Sequence, residues 1–128
     1  MSNQKSRLPK PITIRQLTSA VHPSFAFLAG CQLDLFTPLS EGALTAVQLA
    51  DTLNLSATKL QPLLYALVAA GLLTVENGRF ANTIEAEQYL VRGKRTYMGG
   101  MHELLAPMWT AELQTAVSVR TGQPAARH

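Results

Sequence analysis

The chain has 128 residues, a hydrophobic content of 47% and a formal net charge of +3 at pH 7, which together predict one compact domain with a single core. The longest apolar run, residues 63–73, is shorter than the roughly 18 residues that a membrane span needs, and no secretory signal is visible. The single cysteine, Cys31, excludes an intramolecular disulfide, so we expect a cytoplasmic protein in which this thiol is a small hydrophobic side chain.

The positive charge is concentrated at the N terminus. The basic residues before position 34 are Lys5, Arg7, Lys10 and Arg15, and that segment contains no acid. Residues 1–11 are polar and proline-containing, so we interpret them as a mobile basic arm. Such an arm could contact phosphate or an acidic partner, although solvated tails of this composition commonly contact neither.

Two apolar helices are predicted next, over residues 12–21 and 23–36, separated at Pro23. The second helix carries apolar side chains around most of its circumference, and a chain of this length has few elements to cover it. We therefore expect a second chain to cover it, in a two-fold symmetric homodimer. The alternative is a central helix wrapped by its own chain.

A helix-turn-helix is predicted after these helices. Thr45 and Gln48 have the spacing of a capping box at the start of its first helix. An apolar stripe one helical face wide follows and is expected to end near Asn54.

The second helix of this pair continues to Gly71, a residue suited to a left-handed C-terminal position. Its N-cap could be Ser56, which would cost Pro62 an internal hydrogen bond, or Thr58, which would bring Pro62 nearer the first turn. We favour Thr58 because a proline disturbs the first turn least.

A β-hairpin is predicted from the Asn-Gly pair at residues 77–78, which type I′ turns prefer. A two-residue turn there sets Val75 opposite Phe80. It also sets Glu76 opposite Arg79, so that one face packs and the other pairs its charges. A helix-turn-helix followed by a hairpin predicts a mainly α fold, a winged helix with extra helices at both ends, over residues 12–122.

The last segment contains a short helix over residues 85–90, a basic loop and a long helical stretch. We expect Pro107 to divide that stretch into two helices and Gly122 to end it. Residues 123–128 are interpreted as a tail or as the start of a linker.

DNA binding is not favoured by the residues on the predicted reading helix. Between residues 45 and 71 the charges are Asp51 and Lys59, which cancel, and only Gln61 is well suited to contact a base edge. No metal site and no catalytic residues are predicted either, because the three histidines are far apart and no nucleotide-binding or nucleophile motif is present. We therefore expect no cofactor in this chain.

Residues 31–127 resemble a known family. The run "CQLDLFTPLSEGALTAVQLADTLNLSATKLQPLLYALVAAGLLTVENGRFANTIEAEQYLV", followed by "MWTAELQTAVSVRTGQPA", is similar to the N-terminal dimerisation domain of S-adenosylmethionine-dependent small-molecule O-methyltransferases. The group contains plant caffeate-type and bacterial polyketide-tailoring enzymes. The resemblance implies a winged-helix-like fold that pairs subunits and does not read DNA.

The resemblance also implies roles for individual residues. The dimer interface would contain Ile14, Leu17, Val21, Phe25, Phe27, Leu28, Leu33 and Phe36. The pocket for a small aromatic or polyketide-like acceptor would be lined by Met101, His102, Leu105, Met108 and Trp109. One departure from the family is Asp34, where the family usually has glycine.

The family's cofactor domain is expected to begin about where this sequence stops, so S-adenosylmethionine would bind outside this chain. The leading hypothesis is therefore a dimerisation module that is not catalytic alone. The alternatives are a winged-helix transcription regulator whose basic arm contacts phosphate, and a stand-alone module that binds a small ligand.

Overall fold

The computed structural model describes residues 8–124. Residues 1–7 of the predicted arm (residues 1–11) and residues 125–128 of the predicted tail (residues 123–128) lie outside the described residues. The helices are α1 (Ile12–Ser19), α2 (Val21–Leu33), α3 (Phe36–Leu39), α4 (Ala46–Leu53), α5 (Ala57–Ala69), α6 (Ile84–Tyr89), α7 (His102–Glu112) and α8 (Thr115–Thr121), and the strands are β1 (Leu44–Thr45), β2 (Leu73–Glu76) and β3 (Arg79–Asn82).

The mainly α fold and its order of helix, helix and hairpin are as predicted. The core lies where α2 and α4 pack against α5 and where α5 packs against β2. Seven large side chains are fully buried there: Leu35, Phe36, Leu49, Leu64, Leu67, Leu73 and Phe80. Burying apolar surface of this extent is the main stabilising contribution to a domain of this size.

The hairpin prediction is confirmed in its turn and its register. Asn77 and Gly78 both have positive φ, 53° and 73°, as a type I′ turn requires. Val75 pairs with Phe80, and Glu76 pairs with Arg79. The sequence did not indicate β1, whose two residues pair with β3 to complete a three-stranded antiparallel sheet in the order β1-β3-β2. Two residues are too few to show the alternation that marks a strand.

The capping box at the start of α4 is also confirmed. The Thr45 hydroxyl accepts the Gln48 N–H at 3.1 Å, and the Gln48 side chain accepts the Thr45 N–H at 2.9 Å. Asn54 ends α4 in the left-handed conformation, with φ of 58°.

The predicted N-cap of α5 is wrong. Ser56, not Thr58, caps the helix, and its hydroxyl accepts the Lys59 N–H at 3.3 Å. Pro62 therefore lies inside α5 and removes the hydrogen bond to the Thr58 carbonyl. Both residues are exposed, so water can hydrate that carbonyl while the opposite face of α5 remains in the core.

The prediction that Pro107 divides the C-terminal stretch is also wrong, because this proline too lies inside a helix without ending it. Helix α7 continues through Pro107, and the break falls at Leu113–Gln114, before α8. Pro107 and Glu103, whose carbonyl loses its donor, are both exposed, so one lost bond does not end a helix that packs against α2.

Helix α2 ends earlier than predicted, at Leu33, because Asp34 adopts the left-handed conformation with φ of 55° and ψ of 51°. Asp34 therefore terminates the helix and does not place a charge within it. Glycine would enter this left-handed region without the steric penalty that the aspartate β-carbon carries. Asp34 gains contacts in return: its carboxylate accepts hydrogen bonds from Thr37 Oγ1 at 2.6 Å and Arg92 Nε at 3.2 Å.

Two substitutions separate these two effects at Asp34. Asp34→Ala removes both hydrogen bonds and keeps a β-carbon at positive φ, whereas Asp34→Gly removes the bonds and relieves the strain. We expect Asp34→Gly to be more stable than Asp34→Ala by about 1 kcal/mol, measured as the free energy of unfolding in urea. Equal stability of the two variants would contradict the assignment of strain to this position.

Candidate functional site

An exposed apolar surface runs along α1 and α2. Ala20, which joins the two helices, is itself helical, with φ of −62° and ψ of −26°. Five apolar residues therefore follow one helical face, and we call them the apolar stripe: Ile14, Leu17, Val21, Phe25 and Leu28. In the single chain Ile14 is 65% exposed, Leu17 69%, Val21 44% and Phe25 44%. A contiguous apolar surface of this kind marks an interaction site.

The other three residues predicted for the interface lie elsewhere. Phe27 packs against the core of its own chain. Leu33 borders a separate groove between the end of α2 and the start of α5. Phe36 is a correction to the prediction: it is 1% exposed in the single chain and so has no surface left for a partner.

Helix α7 forms a wall beside the apolar stripe. The Trp109 ring lies 5.8 Å from the Phe25 ring, centroid to centroid, with 55° between their planes. A cleft of about 300 Å³ opens along this contact, lined by Ala20, Val21, Ser24, Phe25, Trp109, Glu112 and Leu113. The cleft is mainly apolar, and it places Trp109 next to residues of the stripe.

The five residues predicted to line an acceptor pocket are only partly brought together. Trp109 borders the cleft beside the stripe and also a second cleft of about 340 Å³ between α2 and the turn after α5. Met108 is exposed, and Met101, His102 and Leu105 are half-buried. None of these four borders either of the two clefts described for residues 8–124.

A polar cluster centred on Glu87 connects α3, β3, α6 and the loop after α6. The Glu87 carboxylate accepts hydrogen bonds from Asn82 Nδ2 at 2.9 Å, Ser40 Oγ at 2.5 Å and Lys94 Nζ at 2.9 Å. These bonds, with that of Asn82 the strongest influence, lower the pKa of Glu87 from 4.5 to about 2. Nothing in the sequence pointed to this cluster, because Ser40 lies 47 positions before Glu87, the residue to which it donates its hydrogen bond.

The lowered pKa makes the contribution of Glu87 to stability dependent on pH. Its carboxylate stabilises the folded chain fully above the unfolded pKa of about 4.5, and this contribution is lost as pH falls towards 2, because the unfolded state binds the proton first. We expect the stability difference between the unsubstituted chain and Glu87→Gln to be constant above about pH 5 and to shrink below it. Urea unfolding across this range measures it.

Glu85→Gln is the matched control, because Glu85 lies on the same helix and is exposed. We expect the pH dependence of this variant to follow that of the unsubstituted chain. A Glu87→Gln difference that is independent of pH would contradict the assigned role of the carboxylate.

Residues 8–124 give little support for a reactive cysteine, a metal site or a membrane-spanning helix. Cys31 is 2% exposed, as predicted for a small hydrophobic side chain. Burial, with a smaller effect of Asp34, raises the pKa of its thiol to about 11, so it is a poor nucleophile. Within the described part of the chain no cluster of His, Cys, Asp and Glu is arranged to hold a metal ion. No helix there has the length and apolar character to cross a bilayer.

The helix that would read DNA in a winged helix has an almost uncharged exposed face. Tyr65, on that face of α5, packs edge-on against Phe80 of the hairpin at 5.2 Å between ring centroids. Lys59 and Asp51 carry opposite charges on the two helices, so this surface offers little attraction to phosphate.

The family comparison and the named relatives agree with one another. A family model described as the O-methyltransferase dimerisation domain matches residues 15–92. The 3-hydroxy-5-methyl-1-naphthoate 3-O-methyltransferase of Streptomyces sahachiroi is 32% identical over 89% of this chain and 33% of its own. The tetracenomycin polyketide synthesis 8-O-methyl transferase TcmO of Streptomyces glaucescens is 36% identical over 88% of this chain and 34% of its own.

Among solved structures, that of PigF with SAH matches with a TM-score of 0.70 and 27% identity, covering 86% of this chain and 33% of PigF. The chain thus spans about a third of the length of the relatives it matches. None of these three proteins is named as a DNA-binding regulator.

Proposed function

The chain belongs to the O-methyltransferase dimerisation domain family, and from this membership we propose that it pairs two subunits of an S-adenosylmethionine-dependent small-molecule methyltransferase. The apolar stripe carries the proposal. It leaves large apolar side chains in water in the single chain, and a second copy that covers them removes that cost.

Methyl transfer itself is assigned to the part of the enzyme that this chain does not cover. The described residues offer no dinucleotide-type cradle, because their sheet is antiparallel and its turn at residues 77–78 connects a hairpin. A dinucleotide-type cradle needs a strand followed by a glycine-rich turn and a helix N-terminus. S-adenosylmethionine therefore belongs to the proposal only as the cofactor of the catalytic portion.

The second part of the proposal is that α7 forms one wall of the acceptor pocket. Trp109 offers an aromatic face at the edge of two clefts, and Met101, His102, Leu105 and Met108 share α7 or the turn before it. Large flat side chains of this kind stack on aromatic ligands. The acceptor class that we propose is a small aromatic or polyketide-like molecule, in keeping with the naphthoate and polyketide acceptors in the names of the relatives.

Subunit pairing is tested by light scattering of the 128-residue chain over a dilution series. We expect a molar mass of twice 13.9 kDa that falls to 13.9 kDa only on strong dilution. A mass of 13.9 kDa at every concentration would overturn the proposed pairing.

The acceptor wall is tested through Trp109, the single tryptophan of the chain. We expect a hydroxynaphthoate to quench its emission saturably, because a bound aromatic ring would stack near the indole. N-acetyltryptophanamide, measured alongside, should show only linear collisional quenching. Linear quenching of the chain as well would remove the support for an acceptor wall.

A cytoplasmic location completes the proposal. It is supported by the single buried cysteine, since proteins of reducing compartments keep such thiols free.

A further inference from the structure

We propose that Tyr97 is a positioning residue for the acceptor wall: its ring, which lies against Gly99, sets where α7 sits on α2. The inference rests on the proposed function, since it concerns the placement of the Trp109 face that the acceptor would contact. Tyr97 itself borders neither of the two clefts beside Trp109, so it acts through the backbone that leads into α7.

Helix α7 is attached to α2 at two separate places. Near the C-terminal end of α7, Trp109 contacts Phe25. Ahead of its N-terminal end, the 3₁₀ turn Gly99–Met101 also packs against α2. Because α7 is one continuous helix of 11 residues, a displacement of this turn is passed along the helix axis to the Trp109 indole.

The loop before this turn, residues 91–98, is held at both of its ends. Near its start, Arg92 Nε donates to the Asp34 carboxylate at the end of α2, at 3.2 Å. At its end, the Met98 N–H donates to the Tyr89 carbonyl of α6 at 2.7 Å. The loop therefore enters the 3₁₀ turn in a defined conformation, which gives the ring at position 97 a fixed place on the backbone.

The Tyr97 ring occupies the space beside Gly99 that a side chain would need. A β-carbon on Gly99 would lie 2.5 Å from Tyr97 Cε1 and 2.5 Å from its hydroxyl oxygen, well inside van der Waals contact. The φ of Gly99 is not positive, so the ring, and not the backbone conformation, requires glycine here. The Arg92 guanidinium lies 5.9 Å from the centroid of the same ring, a cation–π contact that the ring would lose by moving away.

A double-mutant cycle in the full chain tests this role, with Gly99→Ala, Tyr97→Leu and the two substitutions together. Leucine lacks the ring atoms that a β-carbon at position 99 would meet. Two readouts report on the wall: the emission of Trp109 without ligand, and its quenching by the hydroxynaphthoate. Circular dichroism measures the helix content of each variant.

We expect each single variant to shift the Trp109 emission to longer wavelength, because the indole loses cover from Phe25 and meets more water. Hydroxynaphthoate binding should weaken by about fivefold, the equivalent of one aromatic stacking contact. Gly99→Ala should add nothing in the Tyr97→Leu background, where its β-carbon meets no ring. Two controls should match the unsubstituted chain: Tyr97→Phe, which keeps the ring, and Gly100→Ala, whose β-carbon would have no atom within 4 Å.

An equal effect of Gly99→Ala in the two backgrounds would overturn the positioning role of Tyr97. So would a Tyr97→Leu chain with unchanged emission and unchanged affinity. If Tyr97→Leu loses helix content, the comparison of Gly99→Ala with Gly100→Ala decides, and equal emission of these two variants overturns the role.

The positioning role and the acceptor wall fail in different ways. Linear quenching of the unsubstituted chain removes the acceptor wall, and the emission without ligand then still decides whether Tyr97 positions α7. Saturable quenching that is the same in every variant, with unchanged emission, overturns the role of Tyr97 alone.

Discussion

Phe25→Asp is expected to convert the proposed dimer into a folded monomer. Phe25 is 44% exposed in the single chain and lies at the apolar stripe, so an aspartate there is hydrated in the monomer and buried in the dimer. Each interface contains two copies of the substitution. Losing the burial of two phenylalanines costs at least about 3 kcal/mol, equivalent to at least about a hundredfold rise in the dissociation constant.

Light scattering and circular dichroism together measure this result, the first giving the mass and the second the helix content. Gln16→Asp is the matched control, because it adds the same charge to the same helical segment on the side away from the stripe. We expect Gln16→Asp to remain dimeric. A dimeric Phe25→Asp would exclude the stripe as the interface, whereas loss of helix content would show that Phe25 supports folding.

Phe36→Ala is expected to have the opposite effect, a large loss of stability with pairing retained. Phe36 is fully buried and contacts the face of α2 at Gly30, so its truncation leaves a cavity that the surrounding helices fill only in part. Substitutions of this kind lower the free energy of unfolding by about 3–5 kcal/mol.

This loss is best measured in the Phe25→Asp background, where unfolding is not mixed with dissociation. Urea unfolding gives the difference directly. Phe36→Leu, which retains most of the volume, should lose much less stability. A Phe36→Ala chain as stable as its parent but unable to pair in the native background would restore Phe36 to the interface.

The features predicted correctly from the sequence are local ones. The capping box of Thr45 and Gln48, the end of α4 at Asn54 and the turn at residues 77–78 each depend on residues within a few positions of one another. Backbone conformation and side-chain hydrogen bonding at that range are fixed by residue type. Because these local features occur in the order helix, helix and hairpin, they were enough to predict the fold class.

The features that the sequence predicted wrongly, or did not indicate at all, depend on solvent and on distant partners. A proline inside α5 and another inside α7 are tolerated because Thr58 and Glu103, whose carbonyls lose a donor, are exposed residues that water can reach. The Glu87 cluster joins residues from four segments, and β1 pairs with a strand that follows far along the chain. A linear pattern contains no information on which distant groups meet.

The sequence by itself determined that α2 is apolar on nearly all sides, and hence that this helix needs cover from more than one direction. Only the tertiary structure decided which side faces inward. Gly30 lets α5 and Phe36 approach closely: a β-carbon there would lie 3.1 Å from Phe36 and 3.3 Å from Leu67. That contact fixes the rotation of α2, buries Phe36 and leaves Val21 and Phe25 facing outward, because a helix without a polar side takes its orientation from the packing of its neighbours.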